Sequence, residues 1–111
     1  FSLMSGEDAL NLPYISCGAM GTISVTANIL PLEVHNLVDF ALNNNYQKAK
    51  EIHLELLEIN QQLFIETNPI PVKHALYKMG KINSELRLPM YKLSDFNKDS
   101  LDATLRKYKL I

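Results

Sequence analysis

An α/β fold is predicted, with two short parallel strands bridged by a helix and then a run of helices. Three observations carry this reading. The segments "FSLM" (1–4) and "TISVTAN" (22–28) are apolar or β-branched and bounded by turn residues. The stretch between them has helical character, and strands bridged by a helix run parallel with a right-handed crossover. Beyond Asn28 the apolar residues recur at helical intervals and no further strong strand candidate follows.

Each element has a local reason. Ser5-Gly6-Glu7-Asp8 is a polar turn, and Asp8 is placed to cap the helix it precedes. That helix would carry Leu12, Tyr14 and Ile15 towards the sheet, with Pro13 tolerated only in its first turn. Gly18-Ala19-Met20-Gly21 breaks it before the second strand. Pro31 then precedes Val34, Leu37, Val38, Ala41 and Leu42, one face of a helix closed by Asn43-Asn44-Asn45. A longer amphipathic helix runs from Tyr46 to Ile65 along the stripe Ala49, Ile52, Leu56, Ile59 and Leu63, which Leu54, Leu57 and Phe64 widen. "TNPIPVKHALYKMG" gives a proline-stiffened entry and a short helix ending at Gly80. "LRLPMYKLS" reads as an extended connector, and Ser94 or Asp95 caps a last helix reaching Lys107.

Two parallel strands alone leave both edges open, and parallel sheets are normally flanked by further strands. Each buried unpaired backbone group would cost about 1–3 kcal/mol, against about 5–15 kcal/mol for a whole domain. The expectation is that neighbouring strands lie upstream of Phe1 or in another polypeptide.

Composition narrows the classes of function. A length of 111 residues fits one domain, and the net charge of −1 gives no electrostatic reason to expect nucleic acid or an anionic membrane surface as partner. The single cysteine, Cys17, excludes an internal disulfide and fits a reducing, cytoplasmic compartment. No apolar run reaches the ~18 residues of a membrane span.

Taken singly, the chemical candidates are weak. His35, His53 and His74 have no metal-ligand spacing with one another or with Cys17, so no metal site is expected. Cys17 reads as a small buried apolar residue. Gly18 and Gly21 lack the remaining spacing of a phosphate loop. Glu7 and Asp8 read as caps, and Lys73 reads as part of a solvated helix face with Lys78 and Lys81. Position says more. Catalytic groups of parallel barrels gather at the C-terminal ends of strands, here Ser5–Asp8 and Thr26–Asn28, although turns also place polar residues there.

The segments "SGEDALNLP", "GTISVTAN", "FIETNPIPVKHALYKMG" and "LRLPM" together resemble the C-terminal part of the dihydrodipicolinate synthase family, over essentially the whole chain. The related N-acetylneuraminate lyases differ in both "ISVTAN" and "NPIPVK". The resemblance implies the last two βα units of a (β/α)8 TIM barrel in residues 1–44 and a C-terminal α-helical domain in residues 45–111. Phe1 would then open the seventh barrel strand.

That family implies a Schiff-base lyase that condenses pyruvate with L-aspartate semialdehyde to 4-hydroxy-tetrahydrodipicolinate, in lysine and diaminopimelate synthesis. Its imine-forming lysine, proton-relay tyrosine and substrate-binding arginine match positions upstream of Phe1, so no catalytic residue is expected here. No cofactor is implied beyond the lysine–pyruvate imine, and the lysine feedback site also lies outside this stretch. Ile23 matches the isoleucine beside bound pyruvate, although position alone would favour Thr26 or Asn28. Gly6 matches a glycine bordering the pocket mouth, Glu7 stands where many relatives have aspartate, and Asn68 is a further pocket candidate. Cys17 matches a position at the weaker dimer–dimer contact of a homotetramer. The alternatives are another pyruvate-dependent aldolase (N-acetylneuraminate lyase or a keto-deoxy-sugar aldolase) or, were the chain complete, a non-catalytic companion subunit.

Overall fold

The parallel pairing is present, but as one bridge and not as a sheet. The computed structural model describes residues 1–111. Ser5 and Thr22 form an isolated parallel bridge. Three backbone bonds of 2.8 Å hold it: Met20 N–H to Leu3 O, Ser5 N–H to Gly21 O, and Ile23 N–H to Ser5 O. Neither "FSLM" nor "TISVTAN" is a strand. Thr26–Asn28, expected to end the second strand, is a 3-10 turn. Strand character depends on paired neighbours more than on β-branching, and residues 22–28 find a single partner segment.

The helices follow the sequence closely. After a 3-10 turn at Asp8–Leu10 come α1 (Asn11–Ser16), α2 (Pro31–Leu42), α3 (Tyr46–Gln62), α4 (Ile70–Lys78) and α5 (Asp95–Lys107). Pro13 falls in the first turn of α1, and Pro31 opens α2 where its missing N–H costs nothing. The helix start at Asp8 differs from expectation: Glu7 is the cap, its carboxylate accepting from Ala9 N–H at 3.3 Å. Ser94, and not Asp95, caps α5 through Asn97 N–H.

Four helices end the same way. Beyond the C-cap a left-handed residue turns the chain, and the next N–H reaches back to a carbonyl of the last turn. Gly18 (φ 108°) does this after α1 and Gly80 (φ 71°) after α4, conformations that glycine adopts without Cβ penalty. Asn44 (φ 60°) and Lys109 (φ 58°) do it after α2 and α5. The asparagine run therefore closes α2 through its middle member.

The chain forms two compact units, residues 1–60 and 61–111, and the division falls inside α3. In the first unit α2 packs on α1 and on the 3-10 turn at Thr26–Asn28. Ile15, Ile29, Leu30, Val34, Leu37 and Ala41 fill the space between, with Ala49, Leu56 and Ile59 buried on α3. Tyr14, Leu42 and Leu54 stay exposed, so the apolar face of each helix is narrower in the structure than its sequence suggested.

In the second unit α4 packs on α5 around Leu63, Ile70, Val72, Ala75, Leu101 and Leu105. Asp102 lies buried at this contact. Its Oδ1 meets His74 Nε2 at 2.8 Å and its Oδ2 accepts from Lys78 Nζ at 3.0 Å. Burial alone would raise this carboxyl, but the hydrogen bonds and positive charge of His74 and Lys78 outweigh it and hold it below the usual carboxylate range. Glu66 is similarly lowered, at a more exposed site, by the Asn97 amide and by the Ser94 N–H and hydroxyl at 2.9–3.0 Å.

A carboxyl titrating lower in the folded than in the unfolded chain stabilises above its unfolded pKa and loses that contribution as pH falls through the folded one. Asp102→Asn is therefore expected to lower unfolding free energy at neutral pH by about 1–3 kcal/mol. The gap from wild type should close as pH drops below about 4. Chemical denaturation between about pH 2 and about pH 8 checks both.

Candidate functional site

Around the bridge, the two loops that leave the paired segments are tied together by one buried carboxylate. Asp8 is only 3% exposed. Its Oδ2 accepts from Val25 N–H at 2.8 Å and Thr26 N–H at 3.0 Å. Its Oδ1 accepts from the Ser24 hydroxyl and from Asn11 Nδ2 at 3.2 Å. The four bonds fill the acceptor capacity of a carboxylate without any cation, so the charge is compensated by dipoles alone. Asp8 thus caps the second turn, 17 residues away, and not its own helix; Glu7 has already taken the local N–H.

The network extends on both sides. Ser5 donates its hydroxyl to Asn11 Oδ1 at 2.7 Å, fixing the amide so that its nitrogen faces Asp8. Ser24 accepts Ala27 N–H at 2.9 Å, and the fully buried Thr26 hydroxyl donates to Asn60 Oδ1 of α3 at 2.7 Å. None of Ser5, Asn11, Ser24, Thr26 or Asn60 was singled out for this role by the sequence. The available signal was the count of small polar residues at the two segment ends, but their pairing across 16–34 positions has no sequence periodicity.

The predicted site residues fall into two groups. Gly6, Glu7 and Ile23 come together: Ser5 and Thr22 are bridged, and each of these three adjoins a bridged residue or Asp8. Ile23 is 73% exposed although apolar, flanked by Thr22 and Ser24 that are not. A Cβ placed on Gly6 would meet nothing within 4 Å, so packing within this chain does not require glycine there. Thr26 and Asn28, the positional favourites, differ: Thr26 is buried in the network and Asn28 turns back on Val25 O at 2.9 Å.

Asn68 belongs to the second unit and is exposed. Cys17 caps the C-terminus of α1 and is exposed, which corrects the expectation of a buried apolar role. Lys73 is half-buried on α4. His74 is held by Asp102, His35 is exposed, and burial lowers the pKa of His53, whose Nδ1 has no partner. No three of the His, Cys, Asp and Glu side chains are grouped to hold a metal ion, and no helix is long and apolar enough to cross a membrane.

The chain is similar to known proteins along its whole length. The profile of the Dihydrodipicolinate synthetase family matches residues 1–108. The 4-hydroxy-tetrahydrodipicolinate synthase of Hydrogenobaculum sp. (strain Y04AAS1) is 45% identical over 111 residues, all of this chain and 38% of the relative. Among solved structures, dihydrodipicolinate synthase from Aquifex aeolicus superposes with TM-score 0.98 at 45% identity, covering 99% of this chain and 38% of that one. The chloride-inhibited enzyme from Acinetobacter baumannii, solved in complex with pyruvate, gives TM-score 0.96 at 35% identity over 100% of this chain and 38% of that one. The chain spans about 38% of the length of the relatives it matches.

Asp8 generates a graded prediction. Asp8→Ala leaves two backbone N–H groups, a hydroxyl and an amide without their acceptor and is expected to cost about 3 kcal/mol or more, while Asp8→Asn keeps one acceptor oxygen and should cost less. Amide hydrogen exchange reports it locally: Val25 and Thr26 should lose protection in the order wild type, Asp8→Asn, Asp8→Ala. The fit of residues 1–108 to the family profile, the 45% identity along the whole chain and the superposition of its fold together place this chain in the dihydrodipicolinate synthase family.

Proposed function

We propose that these residues form the closing βα units of a (β/α)8 barrel and the helical domain of a Schiff-base lyase that condenses pyruvate with L-aspartate semialdehyde. The observation that carries this reading is Ile23, an exposed isoleucine set beside the mouth residues Gly6 and Glu7 by a bridge and a buried carboxylate, in a chain of this family. The parallel sense of the bridge, with α1 following one paired segment and α2 the other, supports the barrel assignment.

In this reading a lysine outside residues 1–111 attacks the pyruvate carbonyl as a neutral amine and loses water to give the imine. Loss of a methyl proton gives the enamine, whose carbon bonds to the aldehyde carbon of the second substrate. The present residues contribute shape. Ile23 offers an apolar wall to the pyruvate methyl group, Gly6 leaves the mouth open, and Glu7 orders its rim. Asn68 is assigned a lining role from the helical domain. The first lysine of the chain is Lys48, so none stands in the paired segments where burial would depress its pKa. No metal or organic cofactor enters the reaction, since the imine itself is the electron sink. The assignment extends to a cytoplasmic homotetramer with Cys17 at an inter-subunit contact.

A borohydride trap tests the chemistry. With [1-14C]pyruvate as substrate, the full-length enzyme should form a stoichiometric reduced adduct on a peptide outside residues 1–111; an adduct on Lys73 or any lysine within them overturns the assignment. Ile23→Asp should weaken pyruvate binding at least about tenfold by setting a carboxylate beside the substrate's own. Turnover with L-aspartate semialdehyde and not with N-acetylmannosamine separates the synthase from its aldolase relatives. Cys17→Glu should dissociate the tetramer in light scattering, because an unpaired charge would be buried at the contact; an unchanged mass removes Cys17 from the interface.

A further inference from the structure

The second unit contains a cavity that the proposed lyase chemistry does not use. It has a volume of about 250 Å³ and lies between α4, the connector before α5 and the first turns of α5. Three lysines line it, Lys73, Lys92 and Lys98, together with His74 and one acidic residue, Asp95. None of the three has an ion-pair partner; the ion pairs of this unit run from His74 and Lys78 to Asp102. Three lysines against one aspartate leave a surplus of two positive charges in a concave site, in a chain whose net charge is −1. Unpaired like charges gathered around one concavity repel one another. What relieves that repulsion is a bound anion.

We propose that this cavity binds a small organic dianion of the dicarboxylate class. Charge sets the dianion, and the remaining lining sets the rest. Ile70, Leu86 and Leu93 give the cavity apolar walls, which suit a hydrocarbon spacer and offer nothing to a compact inorganic ion. Tyr77 and Ser84 add hydroxyl donors. The volume, about 250 Å³, is below the ~300–1,000 Å³ of pockets for drug-sized molecules and suits a small ligand. Lysine presents point charges on flexible stems, able to meet two carboxylates at separate positions. The site rests on residues 70–98 alone and does not depend on where the imine forms.

Calorimetric titration of the full-length protein with succinate tests it, with acetate and inorganic phosphate as parallel arms. The expected result is saturable binding that weakens at least tenfold in the Lys92→Gln/Lys98→Gln double variant. The same weakening should follow a rise in ionic strength from about 0.05 to about 0.5 M. Both side chains are exposed and unpaired, so the double variant should melt with the wild type, and its fold can be checked by its circular dichroism. Acetate should bind at least tenfold more weakly than succinate. Absence of saturable succinate binding, or succinate binding unchanged in the double variant, overturns the proposal. Lysine-dependent binding of phosphate with none of succinate overturns the dicarboxylate class.

Discussion

The arrangement around the bridge depends on the burial of Asp8. A carboxylate removed from water is costly unless its lone pairs are met, and here two backbone N–H groups, a hydroxyl and an amide meet them. Every donor belongs to a segment that would otherwise be a loose end: Ser24, Val25 and Thr26 after the second paired segment, Asn11 at the start of α1. The asymmetry of hydrogen-bond energetics gives the clamp its force. Each bond contributes modestly when made, but each donor left unmet in the interior costs about 1–3 kcal/mol, so the loop has no cheap alternative position. Ile23 inherits this rigidity because it sits between the bridged Thr22 and the clamped Ser24.

The second unit repeats the device with different chemistry. Asp102 is also a buried acid, but its partners are the His74 ring and the charged Lys78 instead of backbone dipoles. Asp8 fixes backbone, because its partners are main-chain N–H groups; Asp102 fixes side chains, because its partners are His74 and Lys78 on one face of α4. The two consequences differ. A backbone clamp sets where a loop lies, while a side-chain clamp joins two helices that already pack through Ala75, Leu101 and Leu105.

What was legible in the sequence was what is local. Gly18, Asn44 and Gly80 end their helices because a left-handed residue is needed there, and glycine and asparagine supply it within a few positions of the helix they close. The apolar face of α2 follows from spacing alone. The strands were not legible, since β-branching in residues 22–26 marks a segment able to pair and does not say how many partners it finds. Beyond Ile23 the chain leaves extended geometry because Asp8 draws Val25 and Thr26 into a turn. The clamp itself joins residues 17 positions apart, and His74 and Asp102 are 28 apart, distances over which no periodicity carries information. The candidates Gly6, Glu7 and Ile23 rest on a family resemblance, and the structure adds the residues that hold their backbone in place.

On the proposed function, Asp8 touches no substrate but sets the position of Ile23 by holding the Ser24–Thr26 turn. The direct measurement is the pyruvate dissociation constant of the full-length enzyme carrying Asp8→Asn, read beside the location of the borohydride-trapped adduct. Loosening the Ser24–Thr26 turn should weaken pyruvate binding about tenfold, near 1.4 kcal/mol, while the adduct stays on the same lysine. A pyruvate affinity equal to wild type in a folded Asp8→Asn enzyme would contradict the account.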